Sequence, residues 1–456
     1  MEIKNYTLLG EEFIESLNSR VYSIEHDETK ARVLYIENDD EIMTFGIGFK
    51  TPPKDSTGVA HILEHCVLSG SRKYRTKEPF MSLVNSSMQT FLNAMTFPDK
   101  TIYPVATRNE KDFFNLMDVY LDAVFYPRIA EVPEIFKQEG WRYELEDNNS
   151  DLKINGVVYN EMRGAYSDSD SQVFEQFSKL HPESTYDLDS GGYPFDIPNL
   201  TYENFLDFHK KYYSPSNSYI FLNGKMDIKK VLEYIDSEYL SNFSYKKPES
   251  LIELGESFEE PRCISLDYSV GKDDPTDNKA YYVYGVELGL GENLEDRIMA
   301  KVLSDIILES DSSILKDGLL ESGLAEDYFT YVSENYFQDL FIVAKGTSGE
   351  DLERFIFLIE KKLRDAYSQG IDKKLIESVI NQYEFKAKEF GIHKGVILGI
   401  SALASWLYGT DPIDSLKLIE TLDSLKEKID NGYLEKFIHE RILNNTQKIY
   451  ILSSPK

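Results

Sequence analysis

The chain has 456 residues, 41% hydrophobic and 28% charged, which is long enough for two compact units and too apolar for a disordered protein. Its 79 Asp and Glu against 49 Lys and Arg give a formal charge of −30, so no basic face is available for nucleic acid. An acidic cavity would attract cationic peptides, while a well-solvated acidic surface is the plainer source of most of this charge. Two cysteines, Cys66 and Cys263, form no disulfide framework and fit a reducing compartment. The first 28 residues carry acidic groups where a signal or transit peptide needs basic ones. No apolar run reaches the length of a membrane helix, so the sequence reads as a soluble cytoplasmic protein that binds neither membrane nor nucleic acid.

After a short N-terminal arm, SRVYSIEHD, KARVLYIEN and IMTFGIGFK read as successive strands rich in β-branched and aromatic residues. In TPPKDSTGVAHILEHCVLSG, Pro52 and Pro53 end the last strand, Ser56 or Thr57 can cap a helix, and Gly70 follows it. SMQTFLNAMTFPDKTIYPVA returns to strand, and NEKDFFNLMDVYLDAVFYP is an amphipathic helix ended by Pro127. Further helices and the strand SNSYIFLNGKMD complete a first unit over residues 1–245, and the polar residues 246–262 read as a linker. A second unit, 263–456, repeats the order: strand KAYYVYGVELG, helix ENLEDRIMAKVLSDIILES, a strand pair, long helices and a closing strand TQKIYILSS. The fold class is α+β, two similar domains, each an antiparallel-rich sheet packed with helices.

The chemistry centres on HILEH. On a helix, Val59, Ile62, Leu63, Cys66 and Val67 form one apolar stripe, and His61, Glu64 and His65 form the opposite one. Two imidazoles four residues apart can converge on one ion with the glutamate beside them, the HxxEH order of inverzincins. A solvated polar face carrying histidines by chance is the alternative. The second unit has only His393 and His439, far apart, so any metal centre belongs to the first. A hydrolytic zinc site needs a third protein ligand and an open position for water, and sequence physics alone does not single one out among so many carboxylates.

Residues Gly58 to Pro127 resemble the pitrilysin/insulin-degrading-enzyme family of inverzincin peptidases, most of all its presequence-protease branch. The resemblance rests on GVAHILEHCVLSGSRKY, KEPF, TFLNAMTFPDKTIYPVA and DVYLDAVFYP, followed by QEGWRYE, GVVYNEMRGAYSD and YYSPSNSYIFLNG. It implies zinc held by His61, His65 and Glu161, with Glu64 as catalytic base. Many relatives outside that branch carry a glutamate seven positions before the third ligand, where this chain has Ile154. It further implies that a peptide is laid along the edge strand QTFLNAMTF, for which Phe91, Leu92, Asn93 and Ala94 are the substrate-binding candidates. The expected activity is a zinc endopeptidase of short or unfolded peptides, basic ones in particular. Because branch members join two such halves around a chamber, this chain is expected to correspond to the N-terminal half. It would pair with a second half-chain or with itself, and the alternative is a catalytically weak or regulatory half.

Overall fold

The computed structural model describes residues 2–76, 80, 86–145, 147 and 150–456. Most of the family segment KEPF, at residues 77–79, therefore lies outside the described residues.

The first sheet contains β1 (Tyr6–Ile14), β2 (Ser19–His26), β3 (Arg32–Glu37), β4 (Met43–Lys50), β5 (Gln89–Leu92), β6 (Met95–Thr96), β7 (Lys100–Thr107) and β10 (Ser218–Asn223). Its order is β1-β2-β3-β10-β4-β7-β5, with β6 also on β7. A separate hairpin joins β8 (Arg142–Glu144) to β9 (Lys153–Asn155). The second sheet contains β11 (Arg262–Tyr268), β12 (Ala280–Leu290), β13 (Asp327–Val332), β14 (Phe337–Thr347) and β15 (Lys448–Pro455), in the order β11-β15-β12-β14-β13. Among the described residues each sheet has one parallel pair, made by the last strand of its unit, β10 on β3 and β15 on β11. That strand then pairs antiparallel with the next, β4 or β12. The run β3-β10-β4-β7-β5 thus has the same plan as β11-β15-β12-β14-β13, and the architecture is α+β as the sequence pattern implies.

The helices of the first unit include α1 (Val59–Val67), α2 (Glu110–Phe125), α3 (Glu134–Glu139), α4 (Val157–Ala165), α5 (Ser169–Glu175), α6 (Tyr202–Tyr212) and α7 (Ile228–Glu238). Those of the second are α8 (Leu294–Ser304), α9 (Lys316–Ser322), α10 (Leu352–Gln369), α11 (Lys373–Lys388), α12 (Lys394–Trp406), α13 (Leu418–Ile429) and α14 (Tyr433–Phe437). No helix among the described residues is long and apolar enough to cross a membrane. The N-terminal arm is itself a strand. β1 lies at the sheet edge with Leu8, Leu9 and Phe13 exposed, so it lacks the buried alternation that marks the inner strands.

Each sheet has two buried faces, and the covering of the second face is exchanged between units. The front of the first sheet packs α1, α2, α6 and α7 through Phe45, Ile47, Ile62, Leu63, Leu116 and Phe205. Its back is covered by α12, which comes from the second unit and places Leu398, Ala402, Leu403 and Trp406 on Leu34, Ile36, Ile102 and Phe221. Conversely, the second sheet packs its own helices on one face. On the other face, Val283, Phe341 and Ile451 meet Val173, Phe177 and Leu180, contributed by the first unit. Burying both faces explains why these strands read as near-continuous apolar runs.

Polar groups lock the same joint. Asp99, fully buried, accepts hydrogen bonds from Tyr186 (2.6 Å) and Tyr408 and pairs with Lys100 at 2.9 Å. His181 stacks on Phe337 at 3.7 Å between ring centroids, with Nε2 2.9 Å from Asp339 and Nδ1 3.9 Å from Glu287. Burial opposes charge on His181, but these two carboxylates outweigh it and raise its pKa.

Candidate metal centre

The helix α1 comes after β4 and buries Ala60, Ile62, Leu63, Cys66 and Val67 against the first core, as its apolar stripe requires. Its N-terminus departs from the sequence expectation. Neither Ser56 nor Thr57 caps it; Gly58 does, in the left-handed conformation at φ 68°, with no side-chain cap. Thr57 instead hydrogen-bonds Asp55. Two demands select glycine at position 58: the positive φ, and a Cβ there would lie 2.6 Å from the carbonyl oxygen of Gly191.

The opposite stripe is not a solvated face. His61 and His65 are half-buried, with ring centroids 5.1 Å apart, and Glu64 is 9% exposed. Both imidazole Nε2 atoms lie 3.8 Å from the same oxygen, Oε2 of Glu161 on α4. The far ring nitrogens have partners of their own: His61 Nδ1 is 3.0 Å from the Gly191 carbonyl, and His65 Nδ1 is 3.5 Å from Glu139 Oε2 on α3. Those contacts direct the two Nε2 atoms inward. Burial alone would lower the pKa of His65, but Glu139, Glu64 and Glu161 together raise it above its ordinary value.

Among the described residues, His61, His65 and Glu161 are the grouping of three metal-capable side chains whose ligand atoms all lie within 4.8 Å of one another. The donor set suits zinc, with two imidazoles, one carboxylate and anchored far nitrogens. The Glu161 side chain is 54% exposed, which leaves one side of the grouping open to solvent. Glu64 points to the neighbouring strand β6: its Oε2 accepts the Thr96 hydroxyl at 2.7 Å.

The four substrate-binding candidates divide. Among the described residues, β5 is the terminal strand of its sheet and pairs with β7 alone. Phe91 packs toward the back, 5.2 Å from the His393 ring, whereas Leu92 and Ala94 pack on the front core. Asn93 is exposed, yet its main chain is already engaged, N–H to Pro104 and carbonyl from the Tyr120 hydroxyl. Glu139, Thr96 and the glycine loop at 191–192 have no signal in the sequence pattern. QEGWRYE contains Glu139, but its approach to His65 depends on how α3 meets α1. Ile154 lies on β9 opposite Tyr143.

A family model described as insulinase (peptidase family M16) matches residues 42–164, a span that contains His61, Glu64, His65 and Glu161. A second model, the peptidase M16 inactive domain, matches residues 199–383. This chain belongs to the insulinase family of peptidases. Within it, the chain is 43% identical to protein HypA of Clostridium perfringens over 99% of its own length and 47% of that protein's. It is 40% identical to presequence protease 1 of Arabidopsis thaliana, over 98% of this chain and 42% of that one. It therefore spans about half the length of the curated relatives it matches. The fold recurs in a protease from Helicobacter pylori, with TM-score 0.73 and 16% identity over 96% of this chain and 100% of that one. It also recurs in pitrilysin, with TM-score 0.67 and 16% identity over 100% of this chain and 47% of that one.

Proposed function

We propose that the chain is the metal-bearing half of a zinc-dependent endopeptidase acting on short or unfolded peptides. The convergence of His61 Nε2, His65 Nε2 and Glu161 Oε2, with Glu64 on the same helix, carries this reading. Residues 1–245 would carry the chemistry, and 263–456, joined through 246–262, would form a second unit without a metal site. Both cysteines are free thiols, which fits a reducing compartment.

Zinc bound by His61, His65 and Glu161 would supply a water of lowered pKa and polarise the scissile carbonyl. Glu64 takes the proton of the attacking water and delivers it to the leaving amine. Thr96 holds Oε2 of that carboxylate, which leaves Oε1 to carry the proton. The outer edge of β5, which pairs with no other strand among the described residues, offers main-chain groups beside Phe91 and Leu92 for an extended peptide, with Asn93 and Ala94 at its end. The net charge of −30 favours basic peptides.

A second reading has its own support, because the chain spans about half of its relatives and part of it matches an inactive-domain model. In that reading it is a weak or regulatory half that needs a further half-chain, or a second copy, to close the site. A fluorogenic-peptide assay on the zinc-loaded chain, beside Glu64→Gln, tests the first. Cleavage by the parent with loss in the variant, zinc content unchanged, is the expected outcome. Equal turnover by both would refute the role of Glu64, and no turnover until a second half is added would favour the alternative.

A further inference from the structure

The two elements that bring ligands to the site come from distant parts of the chain, α1 with His61 and His65 and α4 with Glu161. Something must fix their separation, because a ligand set displaced by an ångström loses its shared centre. The loop 189–193 touches both. Its Gly191 carbonyl lies 3.0 Å from His61 Nδ1. Asp189 Oδ1 accepts the N–H groups of Gly191 (2.9 Å) and Gly192 (3.1 Å), which sets the direction of that carbonyl. Its other oxygen, Oδ2, accepts the hydroxyl of Tyr166 at 2.7 Å. Tyr166 is the C-cap of α4, five positions beyond Glu161.

The loop is also stapled to the strand-to-helix turn before α1. The Asp189 N–H donates to Ser56 Oγ at 3.1 Å, and the Tyr193 N–H donates to the Ser56 carbonyl at 2.8 Å. Space around the loop is tight. A Cβ on Gly191 would come within 3.0 Å of the Met162 side chain, the residue next to Glu161, and Gly192 has φ 110°. Burial and the Asp189 charge both raise the Tyr166 pKa, so its hydroxyl remains a donor at neutral pH.

We propose that Asp189 is a positioning residue, one carboxylate that holds the His61-bearing side of the site to the Glu161-bearing helix. It acts through Gly191 on one side and Tyr166 on the other and touches neither metal nor substrate. The proposal rests on the zinc reading above. An ordinary loop staple would stabilise the fold without setting ligand geometry, and the two roles separate in measurement.

The experiment titrates the full-length parent chain, Asp189→Ala, Asp189→Asn and Tyr166→Phe with zinc against a competing chelator. The visible spectrum of the cobalt-substituted form is recorded for each, and each melting temperature is measured without metal. Asp189→Ala is expected to weaken zinc binding by about tenfold or more, the low end for groups that orient a ligand. Its cobalt spectrum should shift as well. Asp189→Asn, whose amide oxygen can still accept both glycine N–H groups, should recover most of the affinity. Tyr166→Phe, which removes one hydroxyl and folds whatever the fate of the alanine variant, should weaken zinc by a few-fold. Lower melting temperatures with unchanged zinc affinity and cobalt spectrum in both Asp189→Ala and Tyr166→Phe would overturn the proposal while leaving the zinc site standing. Failure of the parent itself to bind zinc would instead remove the site and the proposal together.

Discussion

The two sheets share a five-strand run, yet the helix that leaves the third strand of each run differs. After β4 comes α1 with His61, Glu64 and His65; after β12 comes α8, LEDRIMAKVLS, which carries no histidine. Both helices bury an apolar stripe in their own core, Ile62 and Leu63 in one and Ile298, Met299 and Val302 in the other. The shared architecture supports packing, and the metal-capable site is an addition of three side chains to one copy. Asp296 shows the contrast at the level of a single carboxylate. In α8 it turns inward and accepts the Leu290 N–H at 3.1 Å, whereas Glu161 stays half exposed beside two imidazoles.

The largest effect should come from breaking that asymmetry. His65→Ala is expected to abolish stoichiometric zinc binding, while Arg297→Ala on α8 should leave it unchanged, both read by metal analysis of the dialysed chain. Glu64→Gln should keep the metal and lower peptide cleavage by about 10²–10⁴-fold. Next come the exchanged faces. Leu403, fully buried where α12 covers the first sheet, should cost about 2–5 kcal/mol as Leu403→Ala. The mirror substitution Phe177→Ala, where the first unit covers the second sheet, should cost about 3–5 kcal/mol. In both variants calorimetry should record one shifted transition for the whole chain; two separate transitions would show that the units fold independently.

Acid and base should act on different regions. His209, half-buried on α6 with Nε2 2.8 Å from the Val124 carbonyl, has its pKa pushed down by desolvation from 6.5 to about 4. The unfolded chain takes that proton first, so up to about 3 kcal/mol of stability is lost as pH falls from 6.5 toward 4. His209→Gln should flatten that limb in denaturant titrations. His181 at the joint has a raised pKa, so its contribution is complete below the unfolded value of 6.5 and disappears as pH rises through the folded one. Asp339→Asn should remove much of this alkaline dependence. The smallest effect is local: Thr96→Val deletes one hydrogen bond to the Glu64 carboxylate and should slow cleavage by about tenfold with zinc content intact.

Much of the fold is legible because β-branched and aromatic runs alternate with amphipathic helices, and HILEH is legible because helical periodicity places two imidazoles on one face. Sequence order conceals contact at a distance. KGVILGISALASW is rich in apolar residues, but nothing in them says that the segment lies on the sheet of the preceding unit. The cap of α1 differs from the Ser56 or Thr57 expected because Gly58 is selected by the approach of Gly191, 133 positions later. Glu139 is invisible as a partner of His65 for the same reason, since ordinary acidic residues gain a role only when α3 meets α1. β1 escapes the pattern because an edge strand with exposed Leu8, Leu9 and Phe13 lacks a buried face to alternate.

The most direct test of the metal centre is a calorimetric zinc titration of the intact chain in two buffers of different ionisation enthalpy. A zinc site at His61, His65 and Glu161 requires one zinc per chain with release of protons, because the carboxylates around His65 favour its protonated form. It also requires loss of that binding in Glu161→Ala. Zinc affinity and proton release unaltered in Glu161→Ala, or no binding by the parent chain, would contradict it.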